Sequence, residues 1–494
     1  MRAFSGSGSS RKGKADEATP LAAPPAEEVP PVQRHRIGTT SVMGATAILA
    51  TFSTTSSNVM YPRAYGVLGS LFGPLFGVVL QGFMCLLAVL TVRIAVRLQC
   101  RTFGELGYAL GGSRGKWLLG GVQQLNNALF MPVALVFAAN ALRQVVLFVR
   151  GCNAPDNVGL LDFGSCAWWS CNINSLWVIA LFAWPVLLLA RDVGDLSWNS
   201  YVSLILIVVQ TAAIFSNVTS DVGPHGNASA VPQPLALIGS TTLTAWNAVV
   251  SAYGIFLYSF CPLFIAVEIS ATMRNPEQIS LAIALSFAIN LCVYLPTGLV
   301  VDHHWGAGMP TPITEVLVGA YGAIANAILF YCTFLDFAIV GAVLNRELQA
   351  YWMPTFDRMC SVGNLPTWLL LTLPSLVFAL GLSILTPRLD SLAGFLESLC
   401  VPVTMLAGVP AMLLVLRSRR ESLGLDKSAS SQLVALEMAK GWEPALVMGV
   451  VIGLVFFTTI AAETCYSIFV ETDYAGRPSS IPGYSSFFCD VVAR

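Results

Sequence analysis

The chain reads as an all-α integral membrane protein of eleven transmembrane helices, on three observations. Of its 494 residues 55% are hydrophobic and only 11% are charged, whereas a water-facing globular surface carries roughly 25% charged residues. The apolar residues fall in long runs, and about 20 such residues are needed to cross a hydrocarbon core of about 30 Å. The charges lie mostly between those runs, with ten of them in residues 1–37. A soluble enzyme is excluded. The net charge of −1 points to no nucleic-acid partner.

Taken in order, residues 1–37 mix both charges with Gly, Ser and Pro and cannot bury a core, so they are expected to be a disordered cytosolic tail. They hold no apolar stretch of leader length, which makes the first span the targeting signal. The body, 38–470, divides at charges, Pro and Gly into spans at 38–66, 70–98, 117–149, 176–190, 199–216, 244–273, 279–301, 319–345, 366–386, 392–417 and 443–470. Residues 471–494 form a short non-cytosolic tail. With the N-terminus inside, twenty Lys and Arg fall on the inner side and five outside, with Arg63 in the first span, which satisfies the positive-inside rule. The sequons at Asn217 and Asn227 then share the outer loop 217–243, and both are expected to be glycosylated. Cys152, Cys166 and Cys171 share the outer loop 150–175, where one disulfide is expected.

Most site chemistry is missing. The stretch Gly111–Trp117 has neither the spacing nor the hydroxyl residue of a phosphate loop, and it reads as a turn. All four His lie outside the spans, and Asp302-His303-His304 has no third ligand in sight, so no metal or cofactor is expected. What remains is Glu268, Asp336, Glu397, Glu463 and Arg63 inside spans, where a charge costs several kcal/mol and marks a bundle interior or an aqueous path.

Two spans also carry polar interruptions. Thr51-Phe-Ser-Thr-Thr-Ser-Ser-Asn58 places six hydroxyl residues and an Asn in the first, followed by Pro62, and Tyr258-Ser-Phe-Cys-Pro262 interrupts the sixth. These spans open two five-helix halves, and paired breaks at corresponding positions point to a transport site. Set against this is the plain alternative that Ser and Thr bond back to their own helix. In the second span Gly69, Gly73 and Gly77 form a small-residue face suited to close packing.

Three segments resemble successive motifs of the amino acid/auxin permease family. Tyr61-Pro-Arg-Ala-Tyr-Gly-Val-Leu-Gly69 resembles its first-helix ending, and Arg101-Thr-Phe-Gly-Glu-Leu-Gly-Tyr-Ala-Leu-Gly-Gly112 resembles its second-to-third-helix loop. Glu268-Ile-Ser-Ala-Thr-Met-Arg-Asn-Pro276 resembles the end of its sixth helix. The resemblance implies a LeuT-like 5+5 inverted repeat with broken helices 1 and 6, and secondary active amino acid transport, commonly with protons. Where the family has Gly-x-Gly, this chain has Thr55, Ser56 and Ser57.

The function expected is therefore proton-coupled amino acid symport across a plasma or vacuolar membrane. The substrate would lie between Thr55, Ser56, Ser57 and Asn58 on one side and Tyr258, Ser259, Phe260 and Cys261 on the other. Asp336, near the middle of the eighth span, is the expected proton carrier, because a carboxyl group away from water is cheaper neutral than charged. Arg63 and Glu397 are expected to close the outer side, and Glu268 to hold the inner side through basic residues such as Arg274 or those of loop 97–116. Sodium coupling and a non-transporting nutrient sensor are the alternatives.

Overall fold

A computed structural model describes residues 38–151, 166–169, 172–190, 193–220, 245–259, 264–305, 312–352, 365–385 and 400–418, together with 445, 447–452 and 454–455. All of these are helices and the turns between them, apart from one isolated parallel bridge between Thr40 and Met273.

Helix α1 spans Val42–Leu68 and is capped by Ser41, whose hydroxyl accepts from the Gly44 N–H at 3.0 Å. The expected break in this helix does not occur. Ser53, Thr54 and Thr55 donate to the carbonyls of Leu49, Ala50 and Thr51, one turn back. Hydroxyls that bond their own helix need neither a break nor a cavity. Pro62 also stays inside α1; having no N–H, it leaves the Asn58 carbonyl without its intrahelical donor.

Helix α2, Phe72–Arg97, brings its small-residue face against α1 and the later helix α8. A Cβ on Gly73 would come within 3.0 Å of Tyr65, and one on Gly77 within 3.3 Å of the Phe256 ring. The following segment, expected as a loop, is helix α3, Phe103–Gly115. Thr102 caps it, accepting from the Glu105 N–H at 3.2 Å, while the Glu105 carboxylate accepts from the Arg101 N–H at 2.7 Å. This is a variant of the capping box. Gly112, at φ 62 and ψ −150, kinks the segment. Gly107 and Gly115 approach so closely that a Cβ on either would strike the other's carbonyl. Glycine there lets α3 fold back on a π-helical turn, Lys116–Gly120, that leads into α4, Gly121–Val149.

The remaining helices are α5 (Cys166–Trp169), α6 (Asn172–Leu189), α7 (Ser197–Val218), α8 (Ala245–Tyr258), α9 (Ala266–Thr272), α10 (Ile279–Trp305), α11 (Gly319–Trp352) and α12 (Leu365–Leu385). A π-helical turn, Pro402–Ala407, then leads into α13, Gly408–Ser418. The expected sixth span is two helices, α8 and α9, with 260–263 outside the described residues. Helix α10 runs past its expected end and includes His303 and His304. Among the described residues, six helical segments are long and apolar enough to cross a membrane. Most of the eleventh span and both tails lie outside the described residues.

Helix α1 packs most extensively on α10 and α4 on α11. Lipid tails are as apolar as the side chains they meet, so such packing rests on close contact rather than on exclusion of water. Aromatic rings fill the seams: Tyr61, Tyr65, Phe130, Phe137, Tyr258 and Tyr294 are buried, whereas Leu75, Leu181, Ile205 and Leu370 face outward. At one end a short strap ties the entry of α1 to the exit of α9. Thr40 N–H donates to the Thr272 carbonyl at 3.1 Å, Arg274 N–H to the Thr40 carbonyl at 2.9 Å, and Arg274 Nε to the Thr39 carbonyl at 3.1 Å.

Candidate functional site

The hydroxyl-rich middle of α1 lies buried among α7, α8, α10 and α11, and its side chains divide into two sets. One set serves the helix itself or fixes neighbours. Thr51 donates to the Ser200 carbonyl at 3.0 Å, and Thr54 Oγ1 lies 2.7 Å from Asn290 Oδ1 of α10. Tyr294 of α10 donates to the Ser53 carbonyl. The other set reaches across. Ser56 Oγ donates to Tyr258 Oη at 3.0 Å, and Asn58 Nδ2 donates to Thr211 Oγ1 at 3.2 Å. The Asn58 Oδ1 is buried with no hydrogen-bond partner.

The last turn of α8 thus meets α1 where the sequence places the substrate. Thr55, Ser56, Ser57, Asn58, Tyr258 and Ser259 are all buried. Ser259 reaches Tyr61 and Tyr294. Phe130 stacks on Tyr258 at 5.8 Å and 12°, and Tyr61 on Tyr294 at 4.2 Å and 20°. The group is neutral, polar at its centre and aromatic at its margins. Phe260 and Cys261 lie outside the described residues.

Asp336, on α11, is 1% exposed, and neither carboxylate oxygen has a hydrogen-bond partner. Tyr294 and Cys332 lie within electrostatic reach of it, and Cys332 in turn meets Thr55 and Ser203. A bare buried carboxylate is costly; one that binds a proton or a cation is not. The side chain stands beside α1, buried and without a hydrogen-bond donor.

The other expectations fare unequally. Glu268 has partners different from those expected: Gln123 Nε2 donates to it at 2.6 Å and the Phe103 N–H at 3.4 Å. Arg274 instead donates to Thr39. The correction has a simple cause, since α9 points Glu268 inward while Arg274, beyond the helix end, is exposed. Arg63 is half-buried on α1, but Glu397 lies outside the described residues. Asn217 is a poor glycan acceptor: it ends α7 buried, and its Nδ2 donates to the Val318 carbonyl at 2.7 Å. Asn227, Cys152, Cys171 and Glu463 lie outside the described residues, and of Cys166 only its place at the start of α5 is described.

Glu347 and Gln123 escaped the sequence reading, as did Glu315, which accepts from Asn140 Nδ2 at 3.2 Å. Glu347 alone had a readable signal. Eleven residues from Asp336, it returns to the same face of a helix after about three turns.

Residues 38–434 match the family model described as transmembrane amino acid transporter protein. A search of curated proteins gives no match.

Proposed function

The chain belongs to the transmembrane amino acid transporter protein family, and from that premise we propose that it is a secondary active symporter moving an amino acid with a proton by alternating access. The observation that carries the coupling is Asp336, a buried carboxylate without a donor, one helix away from the α1 hydroxyls. A proton needs only the carboxyl itself, whereas sodium needs several oxygens at once.

In this reading the helices form a LeuT-like 5+5 repeat, with the cytosol on the side of residues 38–40 and α3. The two-piece sixth span supports it. The continuous α1 departs from the family pattern and leaves the α8–α9 interruption as the source of free backbone groups. The substrate carboxylate would meet N–H groups there, and its ammonium group the hydroxyls of Ser56 and Ser57 and the Asn58 carbonyl freed by Pro62.

Uptake of labelled amino acids into proteoliposomes, with a proton gradient, a sodium gradient or neither, tests the proposal. Asp336→Asn should keep substrate binding and lose gradient-driven accumulation. Retained pH-driven accumulation would refute the assignment, dependence on sodium alone would transfer coupling to that ion, and binding without uptake would point to a sensor.

A further inference from the structure

Two polar contacts fix how α2 lies on α10. Ser70, just ahead of α2, donates to Asp302 Oδ2 at 2.7 Å, and Arg93 Nε donates to Ser280 Oγ at 3.1 Å. The two helices therefore run antiparallel, and the ties lie about 33 Å apart at 1.5 Å per residue. That is just over the hydrocarbon thickness of about 30 Å. The seam thus crosses the membrane, and the Arg93 tie falls at the headgroup boundary on the α3 side. In this register Ala284 and Ala288 of α10, both exposed, stand level with residues 85–89 of α2. Side chains that small leave a shallow channel beside Leu86.

The outward face of α2 changes character at that boundary. Leu75, Val79, Phe83 and Leu86 are exposed at three- and four-residue spacing, and Arg93 and Arg97, also exposed, continue the same face. Apolar residues on such a face meet acyl chains, and cations beyond them meet phosphates. Among the described residues the bond to Ser280 occupies Nε of Arg93 and leaves its Nη groups for an anion. Arg101 follows α2, and Arg274 lies just beyond α9, which packs on α2; the exposed acidic residues there are Glu105 and Glu277. However these charges pair, the exposed basic groups outnumber the acidic ones.

We propose that the α2–α10 seam binds an anionic phospholipid, its phosphate on Arg93 and Arg97 and an acyl chain along Phe83, Leu86 and Leu90 beside Ala284 and Ala288. One leaflet of about 15 Å corresponds to about ten residues of helix, which carries the chain from Arg93 to Phe83. A free phosphate would gain the arginines without the apolar face. A second copy of this chain in the same orientation would bring like charges to the same level. The site stands whether or not Asp336 is the coupling group.

Native mass spectrometry tests the proposal, with the purified protein equilibrated in mixed micelles holding equal amounts of phosphatidylserine and phosphatidylcholine. The wild type should retain phosphatidylserine in preference. One Lys or Arg near a membrane surface adds roughly fivefold to the affinity for anionic lipid. Arg93→Gln should therefore cut the preference about fivefold, and Arg93→Gln with Arg97→Gln should cut it further. Arg150→Gln, exposed at the far end of α4, should leave it unchanged. Equal retention of both lipids by the wild type, a preference that survives the double substitution, or an equal loss in Arg150→Gln would overturn the proposal. The wild type alone supplies a check free of misfolding: neither inorganic phosphate nor glycerophosphoserine, the same headgroup without acyl chains, should displace the lipid at equal concentration. Displacement by either would reduce the site to an anion patch, and a second copy of the chain retained in place of lipid would make the seam a subunit interface; each result would overturn the proposal.

Discussion

Removing the hydroxyl of Tyr258 isolates the seam between α1 and α8. Ser56 donates to that hydroxyl at 3.0 Å with both residues 2% exposed, and the ring stacks on Phe130 independently of it. Tyr258→Phe keeps the stack and takes away the acceptor. A buried hydroxyl left unpaired costs about 1–3 kcal/mol, roughly 5- to 150-fold in the population of the packed state. Ser56 has an escape, because it can turn to the Phe52 carbonyl one turn back as its neighbours do, so the loss should fall near the lower end. Ser56→Ala removes the donor and should cost about 1 kcal/mol, the net worth of one hydrogen bond. The double variant should then cost less than the two singles together by about 0.5–1.5 kcal/mol. Denaturant unfolding of the four purified proteins in one detergent measures the cycle. Additivity within about 0.3 kcal/mol would mean that the two side chains do not meet, and the seam as described would be wrong.

Two further outcomes are checked more simply. Asn217→Gln should leave electrophoretic mobility unchanged with and without glycosidase, while costing about 1 kcal/mol of stability because the longer amide misses the Val318 carbonyl; a mobility shift would show that Asn217 carries a glycan. Burial, with Glu105 beside it, pushes the Cys100 thiol up to about 12. The thiolate is the nucleophile, so at pH 8 native Cys100 should alkylate on the order of a thousandfold more slowly than in denaturant, speeding up as pH rises. Equal rates by mass-spectrometric mapping would contradict its burial.

Features carried by a local pattern were legible in the sequence. The long helices followed from run length, and the Gly73 and Gly77 face packs against Tyr65 and Phe256 as four-residue spacing implies. Asp336 was visible as a charge with no place in lipid. The misreadings turn on where a polar group sends its hydrogen bond. Hydroxyls that serve their own helix and hydroxyls that line a cavity have the same composition, so α1 looked broken and is not. Helix α3 was readable from Thr102 and Glu105 at capping-box spacing, but the segment lies between two apolar runs and resembles a family loop, so it was expected as a loop. The partner of Glu268 could not be read at all, because Gln123 lies 145 positions away. Nor could the fate of Asn217, whose sequon carries no sign that its amide is already spent on Val318.

The strap formed by residues 38–40 and 272–274 has a mechanical consequence. It joins two stretches 232 positions apart through main-chain bonds, so the entry of α1 and the exit of α9 share one joint and cannot swing separately. Any load hung on the chain ahead of Gly38, whether a fused domain or a bound protein, pulls on that joint rather than on a loose end. A substitution at Gly38, where a Cβ would strike the carbonyls of Thr272 and Met273, acts as a wedge driven into the same joint. The strap is thus a lever by which events outside the bundle gain purchase on α1 and α9 together.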